Sequence, residues 1–175
     1  MQPQTVTRGQ MTLLGMSFFG DPFRAAGGWS EENEIGRLWN RFESYLADHS
    51  SELRHVRDDR VAYELHIEHE GTPATGEYEV FVGLEVTELE EVPVQLVVKL
   101  LPPVEYAVFT LRGAQITSDW HKTIYADWLP ASGYEPVHGY MFERYDERFK
   151  GMDRLEESEI EVHIPVRRRA GVGGA

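Results

Sequence analysis

Apolar residues recur along this chain in two rhythms, and the rhythms follow one another in the same order twice. A first apolar run at 11–19, interrupted only by Thr12, Gly15 and Ser17, predicts a strand. A loop rich in Gly and Pro leads to Ser30-Glu31-Glu32-Asn33-Glu34, which reads as a polar N-cap followed by acids that complement the helix dipole. Ile35, Leu38, Trp39, Phe42, Tyr45 and Leu46 then recur at three and four, predicting a helix to about Asp48 whose apolar stripe lies on a sheet. Strict alternation follows. Tyr63, Leu65 and Ile67 oppose Glu64, His66 and Glu68; after turn residues at 71–76, Tyr78, Val80, Val82, Leu84 and Val86 oppose Glu77, Glu79 and Glu85. Phe81 and Gly83 break the second pattern, placing a ring and a bare backbone on the acidic face.

The same order returns further along. The stretch 94–101 reads as a further strand or as the approach to the second unit, and Pro102-Pro103 holds the chain extended there. A strand at 105–111 precedes Thr117 or Ser118 as a helix cap, a stripe of Trp120, His121, Ile124, Tyr125 and Trp128, and a stop at Pro130 and Gly133. Two strands, 140–145 and 159–166, close the unit. The expected fold is α+β: two strand-helix-strand-strand modules, at about 11–86 and 104–166, related by a pseudo-two-fold. An antiparallel sheet with two main helices would enclose a central ligand cleft, all within a single domain over 1–166.

Charge narrows the partners. Thirty acidic against 17 basic residues leave a net charge of -13, which disfavours a direct nucleic-acid surface. The one basic cluster, Arg167-Arg168-Arg169, opens a stretch to 175 that reads as a flexible C-terminal tail. With no cysteine there is neither disulfide nor thiolate, which suits a reducing cytoplasm. The run at 11–19 is too short to span a bilayer, so no membrane role is expected.

Phosphate-loop, dinucleotide and nucleophile-elbow signatures are missing, so no cofactor is expected. No metal is expected either, because His66 and His69 would point to opposite faces of a strand. What remains is Met141-Phe142-Glu143-Arg144-Tyr145, which sets a carboxylate among apolar and aromatic residues. Glu143 shares a strand face with Met141 and Tyr145. It either faces an interior groove, where poor solvation raises its pKa or calls for a cation, or pairs with a neighbouring Arg or Lys at the sheet surface.

An ordered set of segments carries a resemblance: 30–39, 78–86, Leu101-Pro102-Pro103, Ile124-Tyr125, 128–134, Phe142-Glu143-Arg144-Tyr145 and His163-Ile164-Pro165-Val166. Together they resemble the GyrI-like small-molecule-binding domains, related to effector-binding domains of AraC-type and MerR-type multidrug regulators. The resemblance implies paired modules around a cleft that receives amphipathic, often aromatic or cationic, compounds, with Glu143 at its centre. Trp39, Phe81, Trp120, Tyr125 and Tyr145 are the aromatic cleft candidates. Three functions follow as expectations. The first is a stand-alone cytoplasmic binding protein with Glu143 as anchor. The second is a hydrolase of electrophilic cyclopropane-type compounds, with Glu143 as general base and Tyr145 or Tyr125 donating a hydrogen bond. The third is an interaction protein for DNA gyrase or a regulator, meeting its partner through acidic strand faces around Glu64, Glu68, Glu77 and Glu79. The chain has no room for the helix-turn-helix segment of the regulators, so direct transcriptional control by this chain alone is not expected.

Overall fold

A computed structural model describes residues 1–170. Within it one nine-stranded, fully antiparallel sheet runs through the molecule. The strands are β1 (Gln4–Arg8), β2 (Met11–Gly20), β3 (Ala62–Ile67), β4 (Tyr78–Val86), β5 (Val97–Leu101), β6 (Val104–Arg112), β7 (Tyr134–Pro136), β8 (Tyr140–Tyr145) and β9 (Glu159–Arg168). Their order is β1-β6-β9-β8-β3-β4-β2-β5, with β7 added to β9. Each module contributes its strands in mirrored order, so the second strands of the two modules, β3 and β8, meet at the centre. There Glu64 lies opposite Glu143. The predicted α+β duplication is the architecture observed.

The connectors show why both faces of this sheet are buried. Only Gly9-Gln10 joins β1 to β2, and only Pro102-Pro103 joins β5 to β6, yet each pair stands six positions apart in the sheet. A flat sheet would separate them by about 29 Å, whereas so short a connector spans roughly 10 Å. The sheet therefore curls until its edges approach, and its inner face packs on itself. Leu13, Tyr63, Leu65, Phe81, Tyr106 and Phe142 form that inner core.

The outer face carries the helices. α1 (Glu34–His49) lays Leu38, Phe42 and Tyr45 on Leu14, Met16, Val80, Val82 and Leu84 of β2 and β4. The second helical segment, 120–131, packs Trp120, Ile124 and Leu129 on Phe109, Leu111, Ile160, Val162 and Ile164 of β6 and β9. Its middle, Thr123–Trp128, is a π-helix flanked by α-helical turns. With one helix over each flank, the outer face of β3 and β8 becomes the floor between them.

Several local expectations change. The cap of α1 is Asn33 rather than Ser30: Asn33 Oδ1 accepts from Gly36 N at 2.9 Å while its Nδ2 donates to Gly28 O at 2.7 Å. Asp119, not Thr117 or Ser118, caps the second helix by accepting from Lys122 N. Strands β1 and β7 are too short for a periodicity to reveal them. The first residues of the tail expected from 167 are held in place instead: Arg167 and Arg168 belong to β9, Arg167 bridges Glu135, and the Arg169 guanidinium reaches the carbonyls of Leu129 and Pro130 at the helix C-terminus. The last five positions of that expected tail, 171–175, lie outside the described residues. Because Asn33 is buried and satisfies two backbone groups, Asn33→Ala should cost about 1–2 kcal/mol, read as a lowered midpoint in urea with unchanged slope.

Candidate functional site

The floor between the helices is built from the outward residues of the two central strands: Ala62, Glu64 and His66 on β3, and Met141, Glu143 and Tyr145 on β8. Antiparallel register sets the two glutamates side by side, and both are nearly closed to solvent, at 4% exposure for Glu64 and 3% for Glu143. Two carboxylates this close in a dry setting repel, so each must be met by donors or hold a proton.

The two are met differently. Both oxygens of Glu64 are taken by the protein: Trp39 Nε1 donates to Oε2 at 2.5 Å, and His66 Nε2 lies 2.7 Å from Oε1. Glu143 accepts one side-chain hydrogen bond, from the Tyr145 hydroxyl. Among the described residues no cationic side chain pairs with it. The bland expectation of a surface ion pair is thereby removed, and the neighbouring Arg144 points to the other face, where it meets Asp146 and Glu161.

Burial, and then the charge of Glu64, push the Glu143 carboxyl up to about 7, against the smaller opposing pulls of His66 and the Tyr145 hydroxyl. The Tyr145 hydroxyl is held well above its ordinary range, by burial first and by both glutamates after it. Burial opposes the charged imidazole of His66, but the hydrogen bond to Glu64 and the charges of Glu64 and Glu143 outweigh it and raise its pKa.

Aromatic rings rise from this floor. Trp39 packs against the cores of both modules and meets Tyr145 edge to face at 5.2 Å between centroids. Tyr145 in turn meets Phe149 at 5.1 Å, and Phe149 meets Trp29 at 6.3 Å, so a chain of four rings runs from the floor to the surface. Tyr78 approaches His66 at 5.3 Å.

The structure thus brings Glu143, Tyr145 and Trp39 together. Tyr125 sits on the π-helical turn, stacked on His121 at 4.4 Å, and its hydroxyl is pushed up by burial and then by the charge of Glu68, not of Glu143. Two candidates are displaced. Phe81, with 0% exposure, lies on the inner face beneath Gly15 and Gly83, so the sheet itself separates it from the floor residues. Trp120 is buried in the core under the second helix, where it fills space. The acidic contact surface expected for gyrase loses Glu64, which is buried on the sheet face between the helices.

Glu64 and His66 went unrecognised in the sequence. The duplication was the available signal: a two-fold that maps β3 onto β8 carries Glu143 onto Glu64. With Glu143 they also form a set whose ligand atoms lie within 4.8 Å of one another, a spacing able to hold a metal ion that the His66 and His69 pair gave no sign of. Among the described residues no helix is long and apolar enough to cross a membrane.

Comparison with known proteins places this architecture. Residues 5–166 match the family model Cass2, described as an integron-associated effector binding protein. The transcriptional regulator BrlR of Pseudomonas aeruginosa is 32% identical over 168 residues, which is 95% of this chain and 56% of the regulator. The chain therefore spans little more than half the length of that curated relative. Among solved structures, SAV2435 bound to tetraphenylphosphonium superposes with a TM-score of 0.70 at 16% identity, covering 95% of this chain and 94% of the other. The Vibrio cholerae integron cassette protein Cass2 gives 0.60 at 17%, covering 95% and 96%. At such identities the likeness is one of fold, and the fold is the GyrI-like effector-binding one that the sequence resembled.

Proposed function

Because this chain belongs to the Cass2 family of integron-associated effector-binding proteins, we propose that it is a receptor for a small amphipathic cation, held between aromatic walls with Glu143 as its anchor. The observation that carries this reading is the asymmetry of the floor. Glu64 is fully engaged by Trp39 and His66, whereas Glu143 is buried beside Trp39 and Tyr145 without a cation of its own among the described residues. A ligand cation would supply the missing charge, and rings around it would add cation–π attraction of about 0.5–2 kcal/mol each while tolerating varied shapes. The tetraphenylphosphonium bound by SAV2435 is a suitable probe.

Titrating tetraphenylphosphonium into the protein by calorimetry should give saturable binding, weakened at least about tenfold by Glu143→Gln. Equal affinity of the variant would remove Glu143 from the anchor role. Proton linkage supplies a second check. The cation competes with the proton on Glu143, so affinity should fall as pH drops below about 7, approaching tenfold per pH unit. A flat profile between pH 6 and 8 would contradict it.

One observation favours a second reading. A carboxyl near 7 has the basicity of a general base, and Tyr145 already touches it. Incubation with an excess of a strained cyclopropane electrophile decides: more than one product released per protein molecule assigns hydrolysis to the cleft, and none assigns capture.

A further inference from the structure

Glu64, His66 and Glu143 form a coordination set as well as a hydrogen-bonded one. A ligand atom from each lies within 4.8 Å of the other two. Antiparallel pairing of β3 with β8 places Glu64 opposite Glu143, and His66, two residues on, returns to the same face of β3. All three thus stand on adjacent strands at the centre of the sheet, the rigid support that precise ligand geometry needs.

Each carboxylate has one oxygen pinned by a donor from outside the set. Trp39 Nε1, on α1, donates to Glu64 Oε2 at 2.5 Å, and the Tyr145 hydroxyl donates to Glu143 Oε2. Outer donors orient metal-binding carboxylates in this way, fixing one oxygen and leaving the other as a single ligand atom. The remaining atoms are Glu64 Oε1, 2.7 Å from His66 Nε2, and Glu143 Oε1, which meets no donor among the described residues although its side chain is almost wholly buried. An unmatched carboxylate oxygen in so dry a setting calls for a positive partner.

We propose that Glu64, His66 and Glu143 bind one divalent transition-metal ion of the zinc class, through both Oε1 atoms and His66 Nε2, with a fourth position open between the helices. Ligands about 2.0–2.1 Å from a tetrahedral ion lie about 3.3 Å apart, so the Glu64–His66 contact opens by roughly half an ångström. Their hydrogen bond gives way to two coordinate bonds, and the imidazole keeps its proton on Nδ1. Any further proton leaves on metal binding, whichever side chain held it. One nitrogen and two oxygens suit Zn²⁺ or Co²⁺, whereas Mg²⁺ and Ca²⁺ seek a fuller shell of oxygens than the floor supplies. The ion needs Glu143, as an organic cation would, but nothing else in the receptor reading.

The test is a titration of the chelator-treated protein with Co²⁺ near neutral pH, followed by the visible bands that intensify when cobalt becomes four-coordinate. One ion should bind per chain, displaced by Zn²⁺ and not by excess Mg²⁺. Tyr145→Phe, which removes an outer donor, should weaken binding about tenfold, and Glu64→Gln and His66→Gln should each weaken it more. His69→Gln, which removes an exposed histidine outside the set, should leave it unchanged.

A wild-type spectrum that stays that of hydrated Co²⁺ overturns the proposal without any variant. So do bands that Mg²⁺ abolishes, that depend on His69, or that survive in Glu64→Gln and His66→Gln proteins which melt cooperatively. Should neither of those variants fold, unchanged affinity in Tyr145→Phe overturns it instead. Tetraphenylphosphonium separates the two readings: its binding without that of cobalt brings down this proposal alone, and the reverse brings down the receptor reading alone.

Discussion

Replacing Glu143 by glutamine is expected to make the protein more stable at pH 8, by about 3 kcal/mol, while it weakens cation binding. The carboxyl is raised from 4.5 to about 7 by burial and by the neighbouring Glu64 charge, and each pH unit of that difference is worth about 1.36 kcal/mol. Below pH 4.5 the group is protonated in folded and unfolded chains alike and contributes nothing. Between 4.5 and 7 the folded protein keeps the proton that the unfolded chain releases, so stability is lost as pH rises. Above 7 the full cost is present. Glutamine mimics the protonated form and escapes this cost.

The comparison must be made as a difference between the two proteins, because His163 bends both curves the other way. Burial first, with Arg8 and Arg144 adding to it, lowers the His163 imidazole to about 4, against the hydrogen bond from its ring to Glu161. Stability from that source is therefore lost as pH falls from 6.5 toward 4. His163 pairs with Phe142, the neighbour of Glu143, but its ring lies on the inner face, across the sheet from the substituted side chain, and its contribution is common to both proteins. Urea denaturation at pH 4, 6 and 8 should show a gap between variant and wild type that opens with rising pH. Coincident curves at pH 8 would mean that its surroundings do not raise the Glu143 carboxyl.

The second large effect is expected at a cross-strand pair of glycines. Gly15 on β2 faces Gly83 on β4 on the inner side of the sheet, with the ring of Phe81 laid over both. A Cβ on Gly83 would sit 2.5 Å from Phe81 Cζ and 2.6 Å from the carbonyl oxygen of Leu14; on Gly15 it would sit 2.0 Å from the carbonyl oxygen of Val82. Backbone atoms inside a curled, self-packed sheet cannot yield by an ångström. Gly83→Val should lose more than about 3 kcal/mol and fail to melt as a cooperative unit. Gly139→Ala, whose added carbon comes no nearer than 3.5 Å to Glu68 O, should stay within about 0.5 kcal/mol of wild type. A Gly83→Val protein melting beside the wild type would refute the tight packing described for this face.

These two effects mark where sequence reading succeeded and where it stopped. Elements were legible because periodicity is local: the α1 stripe from Ile35 to Leu46 and the alternations of β3 and β4 announce themselves within a dozen residues. Glu143 stood out because Met141 and Tyr145 share its face. Faces were not legible. Alternation says that Tyr63 and Leu65 oppose Glu64 and His66, and the ordinary inference sends the glutamate to solvent. In this sheet both sides are covered, one by helices and one by the curl, so Glu64 became a floor residue and Phe81 a core residue. The curl depends on which strands become neighbours, and only the two-residue joins at 9–10 and 102–103 hint at it. His66 escaped notice because its role depends on Glu64, whose side of the sheet was assigned wrongly.

The arrangement of the edge strands has a practical consequence. β1, which leads into the first module, is seated beside β6 of the second, and β5, which leads into the second, is seated beside β2 of the first. Each half thus wears a ribbon belonging to the other. Severing the chain at the fully solvated Val94 would give two fragments, each lacking its outermost ribbon and each holding the piece its counterpart needs. Such fragments are built to rejoin, and since a guest bound between the modules would grip both, their reassembly could be made to report the guest's arrival.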